Sequence, residues 1–332
     1  MNLITGGTGL VGMHFIAALL KDKQEVRALI RKGADLTSVE SFLRYQQLDP
    51  KSVDWVEGDI LDVPSLMDAM EGVSRVIHAA ALVSFHRKDR DLLYQVNVEG
   101  TANMVNVAMS AEIGEFVYIS SVAALGRQDG ALEVHEETEW KDDPELSHYA
   151  RSKHMAEREV WRGSEEGLKV FVVNPGIIIG IGDFDRSSAE VFKQVDKGMP
   201  YYPGGSNGFV AVQDVIAASM HLIEHDHSNE RYLLVGEHLK YQELFEQVGA
   251  SIGAKVPSKE APLWLMNTVR ILSSIGERLT GKRAFITKEN VKSASSNYRY
   301  LNDRMLSTSF KFTPLKGVIE ETGKYYRSLS ES

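Results

Sequence analysis

Met1-Asn-Leu-Ile-Thr5-Gly6-Gly7-Thr8-Gly9-Leu10-Val11-Gly12 opens the chain. A short apolar run breaks at glycines, and His14 to Leu20 follows as an apolar-rich helical segment. Strand, glycine turn and helix in immediate succession give such a motif physical meaning. Glycines allow the backbone to approach a pyrophosphate, and a helix N-terminus offers it N–H groups that have no partner within the helix. The spacing is G-x-x-G-x-x-G, at Gly6, Gly9 and Gly12, rather than the commoner G-x-G-x-x-G. A tight turn without a ligand is the plainer alternative. The proper flanks favour the ligand, with Gly6, Thr8, Gly9, Leu10, Val11 and Gly12 around it.

Outward from this turn the pattern repeats. Glu25 to Ile30 reads as the second strand. An acidic residue near its end would bond the ribose 2′-hydroxyl of NAD. Arg31 and Lys32 stand there instead, a pair suited to a 2′-phosphate, so NADP(H) is expected, with NAD as the alternative. Val53 to Val56, Arg75 to Ala81, Phe116 to Ile119 and Leu168 to Val173 are further apolar strands, separated by helical stretches. Six strands alternating with helices predict an α/β fold with a doubly wound parallel sheet. Ligands of such sheets lie beyond the carboxyl ends of the strands. The glycine turn, Asp59, Ala79 to Ala81, Ser121 and Pro175 all fall at such ends.

Tyr149-Ala-Arg-Ser-Lys153 sits in a run of good helix formers without Pro or Gly. Residues at i and i+4 share a helix face, so a phenol and an ammonium point to one spot. A neighbouring cation favours the phenolate and moves its pKa toward the working range. Alone the spacing is uninformative; combined with the strand-end residues it is a candidate catalytic pair.

Composition narrows the classes. The chain of 332 residues is 43% hydrophobic and 25% charged, as an ordinary globular protein is, and lacks Cys, which removes disulfides, thiolate metal sites and cysteine nucleophiles. A net charge of -9 with no basic block argues against nucleic acid or an anionic membrane as partner. With no leader-like or membrane-spanning run, the expectation is a cytoplasmic protein with a small-molecule substrate.

The chain resembles the extended short-chain dehydrogenase/reductases, the epimerase/dehydratase and dihydroflavonol-reductase-like group. The matching pieces are Thr5 to Gly12, Gly58-Asp-Ile60, His78-Ala-Ala-Ala81, Asn97 to Thr101, Ser120-Ser121, Tyr149 to Lys153, Asn174-Pro-Gly176 and Gly208 to Val215. The resemblance implies a Rossmann-type cofactor domain and a catalytic group of Ser121, Tyr149 and Lys153. Ser121 is preferred over Ser120 because it stands five residues before Gly126. The resemblance also implies that Asp59 and Ile60 hold the adenine and that Ala79, Ala80 and Ala81 line the phosphate-ribose path. Asn97 and Ser120 join the cofactor contacts, and Pro175, Gly176, Ile177 and Ile178 flank the nicotinamide. Lys153 would bond the nicotinamide ribose and tune Tyr149. Relatives dimerise through the helices beginning here near Asn97 and Tyr149, so a homodimer is an open alternative to a monomer.

The expected division is a cofactor domain of residues 1–176 and 208–240, with Arg231 to Val235 returning to the main sheet. A smaller, mostly helical substrate-binding domain takes 177–207 and 241–332. Within it Pro262 to Leu279 carries Leu265, Val269, Leu272, Ile275 and Leu279 as an amphipathic helix, read as packing against the domain, with a lid or membrane-surface role as the alternative. No metal is expected: His221, His225 and His227 with Glu224 and Asp226 lie at a polar helix end. The acidic run from Glu133 to Glu145 reads as a solvated loop, and Gly204, Gly205 and Gly208 as a flexible one.

Three functions compete. An NADP(H)-dependent oxidoreductase would reduce an aldehyde or ketone, or oxidise the matching alcohol. A nucleotide-sugar epimerase or dehydratase would keep its cofactor. A non-catalytic dinucleotide sensor would need no Ser121, Tyr149 and Lys153. Sugar-nucleotide relatives commonly carry an Arg-Asp pair where Asn207 and Gly208 stand, and sugar dehydratases an Asp-Glu pair where Val122 and Ala123 stand. Both departures favour the oxidoreductase.

Overall fold

The computed structural model describes residues 1–126, 133–143, 146–280, 291 and 295–330. Seven strands form the main sheet: β1 (Asn2–Thr5), β2 (Val26–Ile30), β3 (Val53–Glu57), β4 (Arg75–His78), β5 (Glu115–Ile119), β6 (Val170–Pro175) and β7 (Arg231–Leu234). Their spatial order is β7-β6-β5-β4-β1-β2-β3, all parallel. The winding reverses between β1 and β4, where Thr5 pairs with His78. Such a reversal opens a crevice at the strand ends.

Alternate residues face opposite layers. Ile4, Ile77, Val117 and Phe171 point to the side of helices Leu10–Lys21 and Val212–Glu224. Leu3, Val76, Phe116 and Val170 point to helices Gly100–Ser110 and His148–Glu165. All eight side chains are fully buried. Burial on both faces is why these strands read as unbroken apolar runs rather than alternating ones.

Outside the main sheet, Ser206–Ala211 pairs parallel with Ile177–Ile179 and antiparallel with Glu237–Lys240. Helices Glu190–Asp196, Tyr241–Ile252, Leu263–Thr280, Asp303–Ser307 and Leu315–Ser330 complete this part. Phe192, Val195, Leu244, Val248, Val318 and Ile319 belong to the same continuous apolar cluster as Ile4, Phe15 and Ile77. Polar ties reinforce it: Asp214 accepts from the Thr313 backbone N–H at 2.8 Å and its hydroxyl at 2.7 Å, and Arg327 meets Asp196 at 2.8 Å.

Helix Leu263–Thr280 departs from expectation. Met266 is buried, but Leu263, Trp264 and Ile271 are at least half exposed and Val269 is 36% exposed. Of the stripe expected to pack, Leu265 is half-buried and Val269 stands at that 36%. The side chains of Leu272, Ile275 and Leu279, and residue Glu145 of the acidic run, lie outside the described residues. Among the described residues, no helix is long and apolar enough to cross a membrane.

Candidate active site

The glycine turn is a cradle that side chains would fill. Gly6 has φ +72°, and a Cβ there would lie 2.8 Å from the backbone of Ala79 and Ala80. A Cβ on Gly12 would sit 2.1 Å from the Gly6 oxygen. Gly9 donates its N–H to that oxygen at 2.9 Å and starts helix Leu10–Lys21 in an extended conformation, with no side-chain cap. The first helical bond runs from Met13 to Gly9, so the N–H groups of Leu10, Val11 and Gly12 have no partner within the helix. Thr8, Leu10 and Val11 are partly exposed around this end. Open donors and a cleared approach fit the pyrophosphate of a dinucleotide.

The floor beside the turn is a buried polar chain. Thr5 Oγ1 lies 2.7 Å from His78 Nδ1 and accepts the Ala80 N–H at 3.2 Å. His78 Nε2 lies 3.0 Å from Thr101 Oγ1, which donates to the Asn97 carbonyl at 2.6 Å. These roles fix His78 as the neutral Nε2–H tautomer, and burial pushes its pKa down to about 3. The chain anchors Ala79 to Ala81, of which Ala81 is exposed at the crevice.

Asn97 departs from the expected cofactor contact. It sits in the π-helical turn Tyr94–Glu99, is 1% exposed, and clamps Leu82 through both N–H (2.7 Å) and carbonyl (3.0 Å). Its amide also donates to Ser152 at 2.9 Å. Its side chain thus fixes the chain at Leu82, directly after Ala79 to Ala81. Asp59 turns one carboxylate oxygen onto the Leu61 N–H at 3.0 Å, and Ile60 packs into the space left by Gly100. Arg31 and Lys32 are exposed just past β2. Since Thr5 pairs with Leu29, they stand alongside the glycine turn.

Ser121, Tyr149 and Lys153 come together where β5 meets helix His148–Glu165. Ser147 caps that helix, accepting the Ala150 N–H at 3.0 Å. Ser121 is extended at the β5 exit, and its Oγ accepts the Ala123 N–H at 3.1 Å. The Ser121 hydroxyl pulls the Tyr149 phenol's pKa down, but burial dominates and raises it above the ordinary 10. The Phe85 ring lies edge-on to Tyr149, centroids 5.6 Å apart.

Lys153 is held by the neighbouring strand end. Its Nζ donates to Tyr118 Oη at 2.9 Å and to the Ile119 carbonyl at 2.8 Å, and it lies 4.4 Å from the Tyr118 ring centre. The helix sets Lys153 one turn below Tyr149, and a buried amine takes the nearest strand-end acceptors. Burial lowers its pKa from 10.5 to about 7, with Glu157 pulling upward. Tyr118 is itself buried, which raises its pKa well above 10.

Ser120 also departs from expectation. Its hydroxyl faces inward and donates to Glu157 Oε2 at 2.5 Å. Pro175 ends β6, Gly176 follows with its N–H on the Leu234 carbonyl at 3.0 Å, and Ile177 and Ile178 are half-buried beside it. Gly176 has to lack a side chain because a Cβ would meet the Gly208 oxygen at 2.4 Å.

Residues not singled out from sequence prove central: Thr5, Thr101, Tyr118 and Glu157. Glu157 was legible, standing four residues after Lys153 on the same helix face. Thr5, Thr101 and Tyr118 carry no local signal, because their partners are up to 73 residues away. The histidine cluster has protein partners. His221 Nε2 faces the Thr308 carbonyl at 3.1 Å, and His225 Nδ1 the His221 carbonyl at 2.9 Å.

Known proteins resemble this chain in sequence and in fold. The profile of the NAD dependent epimerase/dehydratase family matches residues 2–236. Sterol demethylase protein B of Methylococcus capsulatus is 32% identical over 282 residues, covering 83% of this chain and 82% of that one. A putative dihydroflavonol 4-reductase of Synechocystis is 29% identical over 305 residues, covering 90% and 85%. A UDP-glucose 4-epimerase structure from Thermotoga maritima superposes with TM-score 0.78 over 99% of this chain and 100% of its own, at 17% identity, a likeness of fold alone. With its glycine cradle, its strand-end serine and its tyrosine–lysine helix, the chain belongs to the NAD-dependent epimerase/dehydratase family, the extended short-chain dehydrogenase/reductase enzymes that use NAD(P).

Proposed function

We propose that this enzyme is an NADP(H)-dependent reductase of an aldehyde or ketone, or in reverse a dehydrogenase of the matching alcohol. The reading is supported by Ser121 and Tyr149 standing together at the β5 exit, where the serine hydroxyl pulls the phenol's pKa down while burial holds it above 10. A phenol protonated at neutral pH is a donor, as carbonyl reduction requires. The nicotinamide cofactor, when bound, supplies the hydride. Tyr149 gives its proton to the carbonyl oxygen, and Ser121 hydrogen-bonds that oxygen as charge develops on it. Lys153 holds the strand end beneath them through the Ile119 carbonyl and is assigned to bond the nicotinamide ribose.

Two features support a reductase over a nucleotide-sugar enzyme. The names of several relatives, including a cinnamoyl-CoA reductase of Petunia hybrida at 25% identity over 97% of this chain and 90% of its own, are those of reductases. Asn207 is also buried and donates to Tyr241 Oη at 3.3 Å, while a Cβ on Gly208 would strike Tyr300 and Val235 at 2.8 Å. That corner is filled by protein where a nucleotide phosphate would need a cation. Residues 177–207 and 241–332 are assigned to cover the substrate.

The exposed Arg31 and Lys32 favour a 2′-phosphate. NADPH is expected to bind at least about tenfold more tightly than NADH, about 1.4 kcal/mol. Fluorescence titration with both cofactors checks this, and equal affinities would overturn the cofactor choice. A carbonyl panel with NADPH then tests the reaction. Purified protein carrying NAD that survives gel filtration would favour the epimerase instead.

A further inference from the structure

Glu157 carries no role in the reaction as derived so far, yet its carboxylate is 3% exposed and fully engaged. Oε2 accepts from Ser120 Oγ at 2.5 Å and Asn174 Nδ2 at 2.8 Å. Oε1 accepts from Trp161 Nε1 at 3.2 Å and meets Arg231 Nε at 3.2 Å. The donors come from β5, β6, β7 and its own helix. Asn174 Nδ2 also donates to the Ser121 carbonyl at 3.0 Å. Three successive residues at the β5 exit are therefore gripped: Ile119 by Lys153, Ser120 by Glu157, and Ser121 by Asn174, which leans on Glu157. A group held in place by a network of this kind needs no reorganisation when it acts.

We propose that Glu157 is a positioning residue for the hydride-transfer site: its carboxylate ties the strand end carrying Ser121 to the helix carrying Tyr149 and Lys153, and it is the counter-charge of Lys153. The proposal rests on the reductase reading for its catalytic meaning and on the hydrogen bonds alone for its geometry. A buried ammonium without a counter-charge is costly, and an amine in that position loses its proton instead. The groups acting on Lys153 are Glu157 from its own helix, Tyr118 from β5 and His78 from β4, with Tyr149 one turn before it on the same helix face. His78 is neutral and both phenols are protonated at pH 7. Glu157 is the anion among these, and Arg231 from β7 stands behind it. The side of the amine that titrates is thus set by one carboxylate on the next turn.

The test is the titration of the Lys153 amine itself, read by NMR of protein labelled with lysine carbon-13 at Cε and assigned with Lys153→Met. Glu157→Gln keeps the shape and one acceptor but removes the charge. Its Lys153 titration is expected to move to lower pH by at least about half a unit. Arg231→Gln removes the cation behind Glu157 and is expected to move it the other way, which keeps the test alive if Glu157→Gln does not fold. An unmoved Lys153 in both variants, or shifts of the same sign, overturns the proposal. NADPH titration of the wild type is run beside it. Failure to bind NADP(H) would count against the reductase reading while leaving the Lys153 result intact.

Discussion

At the residue scale the site works by opposed effects on neighbouring groups. Burial raises the Tyr149 phenol, and the neighbouring Ser121 hydroxyl only partly offsets that. Tyr149→Phe removes the proton and little volume, so kcat is expected to fall by about 10²-fold or more, while NADPH affinity stays within a few-fold. Stopped-flow turnover and cofactor titration separate the two. Ser121→Ala should cost about 10²- to 10³-fold in kcat, the range for one donor to a developing oxyanion. A variant that retained full turnover would move the proton source elsewhere. The four-residue spacing of Tyr149 and Lys153 was readable, but the partner of the amine was not. A helix face says which residues are neighbours, while the acceptors Tyr118 and Ile119 arrive from another strand.

At the element scale the glycine turn joins β1 to its helix by close backbone contact. Gly12→Ala places a methyl 2.1 Å from the Gly6 oxygen, with backbone on every near side. Overpacking of this kind costs about 1–3 kcal/mol. The turn must open to relieve it, so NADPH affinity should fall by more than tenfold along with the melting temperature. Calorimetry and fluorescence titration read both. A variant with wild-type affinity would mean that the cradle does not hold the pyrophosphate. The π-helical turn at Tyr94–Glu99 is the contrary case, an irregular element that aims Asn97 at Leu82. Sequence offers no sign of it, since a single turn is too short to establish a period in the apolar pattern.

At the scale of the whole molecule, stability carries the signature of buried neutral histidines. His78 is held down to about 3, and His14, on the Ile181 carbonyl at 2.8 Å, to about 4. An unfolded histidine takes a proton near 6.5. Between that pH and the lowered folded values the unfolded chain binds more protons, so stability falls as pH falls below about 6.5, and above it neither histidine contributes. Well inside this window each histidine adds a slope of about 1.4 kcal/mol per pH unit. Urea denaturation from pH 7.5 to 5 should show the loss, and His14→Gln should make it shallower by about one proton. An unchanged slope would mean His14 is not buried neutral. The link matters because His14 joins the first helix to the segment after β6, and the apolar interior runs unbroken from the main sheet to helix Leu315–Ser330.

The sequence by itself determined the doubly wound parallel sheet and the glycine turn, and it placed Ser121 at a strand end and Tyr149 and Lys153 on one helix face. These are local patterns: doubly buried strands show as apolar runs, a pyrophosphate turn as glycines between strand and helix, and a helix face as a four-residue step. Tertiary structure alone decided what each polar side chain does once there. Ser120 turned inward to Glu157, Asn97 clamped Leu82, Lys153 reached Tyr118, and part of the apolar stripe of helix Leu263–Thr280 stayed exposed. Each outcome depends on a partner brought from another strand or helix, and the energy of pairing a buried polar group outweighs any preference its neighbours in sequence could express.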